Sequence, residues 1–183
     1  MRIFVINPGA TSTKIAIFEE ETAVFSKTIT HDADALAPFS QVLDRMVAEF
    51  PDQYAFKYTT LDYTRTYSEF RDDVDEFARA LVSLGVRPGH HVAVWATNLP
   101  QWYISFWAVT KIGAVLVSMN TAYKIHEAEY LLKQSDTHTL IMCEGFRDSN
   151  YSEIIAELCP ELSVKEKKSP LHSRRLPFLR NVI

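Results

Sequence analysis

VAVWATNLPQWYISFWAVTKIGAVLVSMNTAYKIHEAEYLLKQSD, running from Val92 to Asp136, is the stretch on which the fold turns. Two short β-branched runs, Val92 to Trp95 and Val115 to Ser118, alternate with two longer segments of helical period. That order builds a parallel sheet with crossover helices. A third run, Thr139 to Cys143, completes a βαβαβ pattern. Pro100 falls where a first-turn proline is tolerated, because its missing N–H would have no helical partner anyway. Gly113 falls where the same helix needs a residue free to take positive φ. Between them Trp102, Ile104, Phe106, Trp107, Val109 and Ile112 leave little polar surface, so a buried helix is expected.

Outward from this stretch, the preceding segment SQVLDRMVAEFPD carries apolar residues at helical spacing and stops at Pro51. Strands are expected at Tyr54 to Thr59 and Tyr63 to Thr66, joined by a turn at Leu61-Asp62. Thr66 and Glu69 have capping-box spacing. Phe70, Val74, Phe77, Ala78, Leu81 and Leu84 then mark one helical face, which ends at Gly85. Asp72, Asp73, Asp75 and Glu76 lie off that apolar stripe and read as a solvated surface rather than a metal site. His90 and His91 are adjacent on an extended segment, so their side chains point apart and make no ready chelate. A further helix is expected over Asn150 to Leu158, stopped by Pro160.

The order G-x-x-x-G-x-x-V-A-x-x-x-x-N-x-P-x-W is met at Gly85, Gly89, Val92, Ala93, Asn98, Pro100 and Trp102. It is followed by K-I-G-A-V at Lys111 to Val115, by Asn120 and Tyr123, and by E-x-E-Y-L-L-x-Q-S-D over Glu127 to Asp136. Taken together these resemble the N-terminal part of AMP-forming acyl-CoA synthetases. The resemblance implies an enzyme that joins a small-molecule carboxylate to ATP, with Mg²⁺, and then transfers the acyl group to CoA. It also implies that the Asn98 to Phe106 region, with Asn98, Pro100 and Trp102, forms one wall of the acyl pocket. The ending L-H-S-x-R-L-P-F-L-x-N-V-I resembles the segment before a further strand in that family, so the five basic residues between Lys165 and Arg175 read as a linker.

The family's phosphate loop, of the type S/T-G-T-T-G-x-P-K-G, has no counterpart here. The glycines stand at 9, 85, 89, 113 and 145, and no two are close enough for such a cradle. The reading is therefore a truncated synthetase region over residues 39–183 that is inactive alone, and a non-catalytic fragment is a further reading. Its sheet is expected to have an unfinished edge that promotes self-association.

Residues 1–38 have a different pattern. RIFVI, KIAIF and AVFSKTIT, separated by tight polar connections, read as an antiparallel β-meander. The first turn, NPGATST, precedes Lys14. Its amides, the hydroxyls of Thr11, Ser12 and Thr13, and the Lys14 ammonium would suit a phosphate, although Asn-Pro-Gly and Ser/Thr clusters also mark ordinary turns. I-N-P-G-x-T-S-T-K-I-A at Ile6 to Ala16, followed by T-I-x-H-x-A-x-x-L at Thr28 to Leu36, resembles the beginning of butyrate kinases. That resemblance puts Asn7 near magnesium and Lys14 near nucleotide or acyl-phosphate oxygens, with Ala10 standing where the pattern usually has serine. An acyl kinase is thus the rival enzyme reading. The whole chain is expected to be α/β: the meander, then a three-layer unit with parallel βαβαβ.

Composition limits the alternatives. The 183 residues are 47% hydrophobic and 23% charged, enough for a real core and ordinary for a folded soluble chain. A net charge of −4, with no basic stripe interleaved with aromatics before the tail, points away from nucleic acid. Cys143 and Cys159 show no C-x-x-C spacing and read as reduced thiols. Ile3 to Ile6 is too short for a signal segment. Trp102 to Val109 is far below the roughly 20 residues that cross a bilayer. A cytoplasmic location is expected.

Overall fold

The computed structural model describes residues 2–8, 12–19, 22–30, 39–166 and 169–183. The chain divides into two compact units, Met1–Gln41 and Val42–Ile183. The first contains β1 (Arg2–Pro8), β2 (Ser12–Glu19) and β3 (Thr22–Thr30), an antiparallel sheet in the order β1-β2-β3. The β2–β3 register shifts at a bulge between Ile17 and Phe18.

The second unit takes up the chain within α1 (Phe39–Glu49). It continues through β4 (Tyr54–Tyr58), β5 (Tyr63–Thr66), α2 (Tyr67–Ser83), β6 (His91–Trp95), α3 (Pro100–Lys111) and β7 (Val115–Ser118). Then come α4 (Ile125–Gln134), β8 (Thr139–Met142), β9 (Gly145–Phe146), β10 (Ser149–Asn150), α5 (Tyr151–Leu158) and β11 (Asn181–Val182). The expected capping box is formed: Thr66 Oγ1 accepts from the Glu69 amide at 3.3 Å, and Glu69 Oε2 accepts from the Thr66 amide at 2.8 Å. Two otherwise unpaired donors at the start of α2 are thereby satisfied. Gly113, at φ 72, takes the left-handed conformation that turns the chain out of α3 toward β7.

β11, β8, β6 and β7 form one sheet in that order, and every pairing in it is parallel. Alternation along the central strand sorts its side chains onto two faces. Val92 and Val94, with Ile141, pack among Leu43 and Val47 of α1, Phe70, Val74 and Leu81 of α2, and Ala108 and Val109 of α3. Ala93 and Trp95, with Leu140, pack among Leu132 of α4, Tyr151, Ile155 and Leu158 of α5, and Leu171, Leu176 and Leu179. Helices thus cover both faces, giving three layers, and β6 reads as an unbroken apolar run because it has no solvent side.

Three details depart from the sequence reading. α3 is not buried throughout: Pro100, Ser105, Ala108 and Val109 are, whereas Trp102, Tyr103, Ile104, Phe106, Trp107 and Ile112 are half-buried. The acidic group on α2 is not simply a solvated face: Asp73 pairs with Arg65 at 2.8 Å and Asp75 with Lys111 at 2.5 Å. Asn181 and Val182 do not end a linker but form β11, in parallel register with Thr139 and Leu140.

Candidate functional site at the carboxyl ends of the strands

In a parallel sheet, ligands sit outside the carboxyl ends of the strands, where neighbouring strands send their continuations to opposite faces. β6 and β8 are such neighbours. The chain leaves β6 through Ala96 to Leu99 into α3, on the face of the first core cluster. It leaves β8 through the β9–β10 hairpin into α5, on the other face. The hairpin is tight: a Cβ on Gly145 would lie 2.2 Å from the Ser149 carbonyl oxygen, so only glycine fits there.

Between the two departures lies a cleft of about 580 Å³. Val94, Ala96, Leu99, Pro100, Trp102 and Ser105 line one side, Ile141, Met142, Cys143 and Glu144 the other, and Leu61, Asp62 and Tyr63 of the β4–β5 turn border it. A second lobe of about 490 Å³ shares Gln101, Ser105, Ile141 and Met142 and adds Asp73, Glu76, Phe77, Ala80, Ile104 and Ile183. Leu99 begins α3 with no side-chain cap, and Pro100 follows at the helix start, where a missing amide costs nothing. Ser105 is buried, and its hydroxyl donates to the Gln101 carbonyl at 2.6 Å, which leaves an apolar surface at the junction of the lobes.

Asp73 connects the lobes' walls. It accepts from the Tyr63 hydroxyl at 2.9 Å and from Arg65 Nε at 2.8 Å, while the Arg65 guanidinium lies 4.6 Å from the Tyr63 ring centre. Burial raises the Tyr63 pKa, and the hydrogen bond to Asp73 raises it further, so the phenol stays protonated and donating. The hairpin is thereby tied to α2 at the cleft's edge.

Of the expected wall residues, Pro100 and Trp102 line the cleft. Asn98 does not; it is an exposed bend residue between β6 and α3. In the first unit, Asn7 and Lys14 are directly opposed in the β1–β2 register, and Ser12 opens β2 opposite Thr30. Thr11 lies outside the described residues. Tyr63, Asp73, Ser105, Ile141 and Met142 were not singled out as site residues beforehand. For Ser105 a signal existed, a small polar residue inside an apolar helix, but the others meet only through the tertiary fold. Among the described residues no Lys, Arg or His lines either lobe, so the residues present do not fit a triphosphate. No group of three or more His, Cys, Asp or Glu among them is arranged to hold a metal ion.

The profile of the AMP-binding enzyme family matches residues 43–181. The chain belongs to the AMP-binding enzymes. Among its relatives is YngI of Bacillus subtilis (strain 168), whose name marks it as a candidate acyl-CoA synthetase. It is 39% identical over 143 residues, 78% of this chain and 26% of that protein. The mitochondrial medium-chain acyl-CoA ligase ACSF2 of Danio rerio is 31% identical over 145 residues, 78% of this chain and 23% of that one. The chain therefore spans about a quarter of the length of the curated relatives it matches.

The fold agrees with this membership. A Mycobacterium tuberculosis fatty acyl CoA synthetase superposes with a TM-score of 0.66 at 19% identity, over 80% of this chain and 26% of that one. The anthranilate CoA ligase AuaEII, solved in complex with anthranoyl-AMP, gives 0.66 at 22% identity over 83% and 26%. The segment shared with these AMP-binding enzymes is the three-layer unit that carries the cleft. No helix among the described residues is long and apolar enough to cross a membrane.

Proposed function

We propose that this chain supplies the N-terminal part of an acyl-CoA synthetase, and that the cleft between β6 and β8 is one wall of the site for the apolar part of the acid. The observation that carries the reading is the apolar cleft at the switch point of the sheet, inside the segment shared with acyl-CoA synthetases and ligases. The complete enzyme would use ATP, Mg²⁺ and CoA to convert a small-molecule carboxylate, in the metabolism of fatty acids, to acyl-CoA, AMP and pyrophosphate. This stretch contributes shape and apolar surface to that site rather than groups that hold phosphate. The same reading puts the protein in the cytoplasm and has the β11 edge of the sheet promote self-association.

A photoreactive medium-chain acid offered to the chain tests it. Labelling concentrated on peptides holding Trp102 and Met142, and competed by an unlabelled medium-chain alcohol, is the expected result. Labelling spread over the surface and indifferent to competitor overturns it.

A second reading for residues 1–38, carried by the I-N-P-G-x-T-S-T-K-I-A order at Ile6 to Ala16, is a butyrate-kinase-like leader. In that reading Thr11, Ser12 and Lys14 meet phosphate oxygens and Asn7 meets magnesium. Weak, saturable phosphate binding abolished by Lys14→Ala is its expected signature, and phosphate binding unchanged by that substitution removes it.

A further inference from the structure

The two lobes of the cleft meet at Ser105. Gln101, Ser105, Ile141 and Met142 line both lobes, with Gln101 and Ser105 one turn apart on α3 and Ile141 and Met142 at the end of β8. Ser105 is buried, and its single donor hydrogen is spent on the Gln101 carbonyl at 2.6 Å, so it presents no unmet donor to the space beside it. It is also the smallest side chain between Trp102 and Trp107, where its neighbours are Tyr103, Ile104 and Phe106. A leucine or phenylalanine there would place its extra atoms at the junction, since a close-packed interior has no other room for them. The larger lobe lies at the carboxyl ends of β6 and β8, bordered by Tyr63 and Glu144. The smaller runs from the junction between α2 and α3, past Phe77, Ala80 and Ile104, to Ile183.

We propose that Ser105 sets the length of acyl chain the site accepts. By staying small, with its hydroxyl turned back onto its own helix, it joins the two lobes into one apolar path, and the site takes an unbranched acid long enough to pass from the larger lobe into the smaller. The proposal rests on reading the cleft as the seat of the apolar part of the acid. The carboxyl then stays at the larger lobe, at the strand ends where ligands of parallel sheets bind, and the far end of the chain enters the smaller lobe. Each methylene buried adds about fourfold in affinity, so an open path through both lobes rewards a longer chain and a blocked junction does not. Ser105 touches no reacting atom, and its part is to determine specificity for length.

The test titrates the 183-residue chain with hexanoate, octanoate, decanoate and dodecanoate, followed by calorimetry and by tryptophan fluorescence, since Trp102 lines the cleft. In the wild type, affinity is expected to climb by about threefold to fourfold per methylene through dodecanoate. In Ser105→Leu the climb should stop at a shorter acid, with hexanoate within about twofold of wild type and dodecanoate weaker by about tenfold or more. Should that variant fail to fold, Met142→Trp, at a half-buried position lining the same junction, replaces it with the same expectation, read by calorimetry alone. A length profile unchanged in the folded variant, or all four acids weakened by one factor, overturns the assignment of Ser105. A wild-type profile that is already flat beyond hexanoate overturns the path through both lobes and leaves the apolar cleft standing. Failure of all four acids to bind the wild type overturns the proposed function itself.

Discussion

The indole of Trp95 and the ring of Tyr151 stack with centroids 3.8 Å apart and planes 13° from parallel, joining the end of the central strand to the start of α5. Both side chains are fully buried, and each satisfies its polar atom on the turn after β7. Trp95 Nε1 donates to the Asn120 carbonyl at 3.0 Å, and the Tyr151 hydroxyl donates to the Thr121 carbonyl at 2.7 Å. Tyr151→Phe keeps the stack but leaves that carbonyl without its buried donor, and should cost about 1–2 kcal/mol in denaturant unfolding. Trp95→Ala also opens a cavity and should cost about 3–5 kcal/mol. Equal costs for the two would mean that the hydrogen bonds, not the rings, hold this contact.

Arg175 grips Glu129 through Nε at 3.0 Å and Nη2 at 2.6 Å, and Lys133 adds a third contact at 2.7 Å. The Arg175 and then the Lys133 hydrogen bonds pull the Glu129 carboxyl down to about 2. As pH falls through the ordinary value of 4.5, the unfolded chain takes up this proton before the folded one does. Stability present above that value is therefore lost between it and about 2. Acid titration followed by circular dichroism should show Glu129→Gln less stable at neutral pH and shallower in its acid decline.

His138 acts in a different window. Burial lowers its pKa first, and the His90 ring stacked on it at 4.2 Å and the nearby Arg180 lower it further. The unfolded chain again binds the proton first, so stability should rise with pH up to about the ordinary value of 6.5 and be lost progressively below it. His138→Gln should flatten this part of the profile and leave the Glu129 window unchanged. A profile with the same slope in wild type and variant just below neutrality would mean that His138 titrates as an exposed histidine.

Gly145→Ala places a methyl group against the Ser149 carbonyl, where its 2.2 Å separation forces backbone to move. A cost of about 1–3 kcal/mol is expected, as for other overpacked sites. Hydrogen exchange should localise the loosening to residues 145–150, with β6 and β8 keeping their protection. Uniform loss of protection would show that the hairpin and the sheet open as one unit.

Supplied with ATP, Mg²⁺, CoA and short to medium carboxylates, the 183-residue chain should release neither pyrophosphate nor ADP above background. Adenylyl and phosphoryl transfer depend on cations and donors set around developing charge, and among the described residues no Lys, Arg or His lines the cleft. Turnover lost on Lys14→Ala would support the kinase-like reading of the first hairpin. Turnover indifferent to that change would point to a site in the three-layer unit.

Local pattern alone determined α1 to α5 and β4 to β8 of the three-layer unit, because hydrophobic period and end signals act between residues a few positions apart, whereas β9, β10 and β11 have two residues each, too few to carry a period. Val92 to Trp95 read as a strand of a parallel sheet, the Thr66–Glu69 capping box formed as its spacing required, and Pro100 and Gly113 bound the helix between them. The same local order was enough to reveal the family. What only the tertiary structure decided is the cleft. It exists because α3 and the β9–β10 hairpin leave neighbouring strands toward opposite faces, bringing Ser105 to Ile141 and Met142. The crossover also leaves Trp102 and Ile104 half-buried on the cleft wall, although the apolar run predicts full burial. Asp73 looked like one solvated acid among four, until folding set it against Tyr63 and Arg65. A hydropathy period records which face of an element avoids water, but the residues that meet across a sheet depend on crossovers tens of positions long, and no local pattern encodes those.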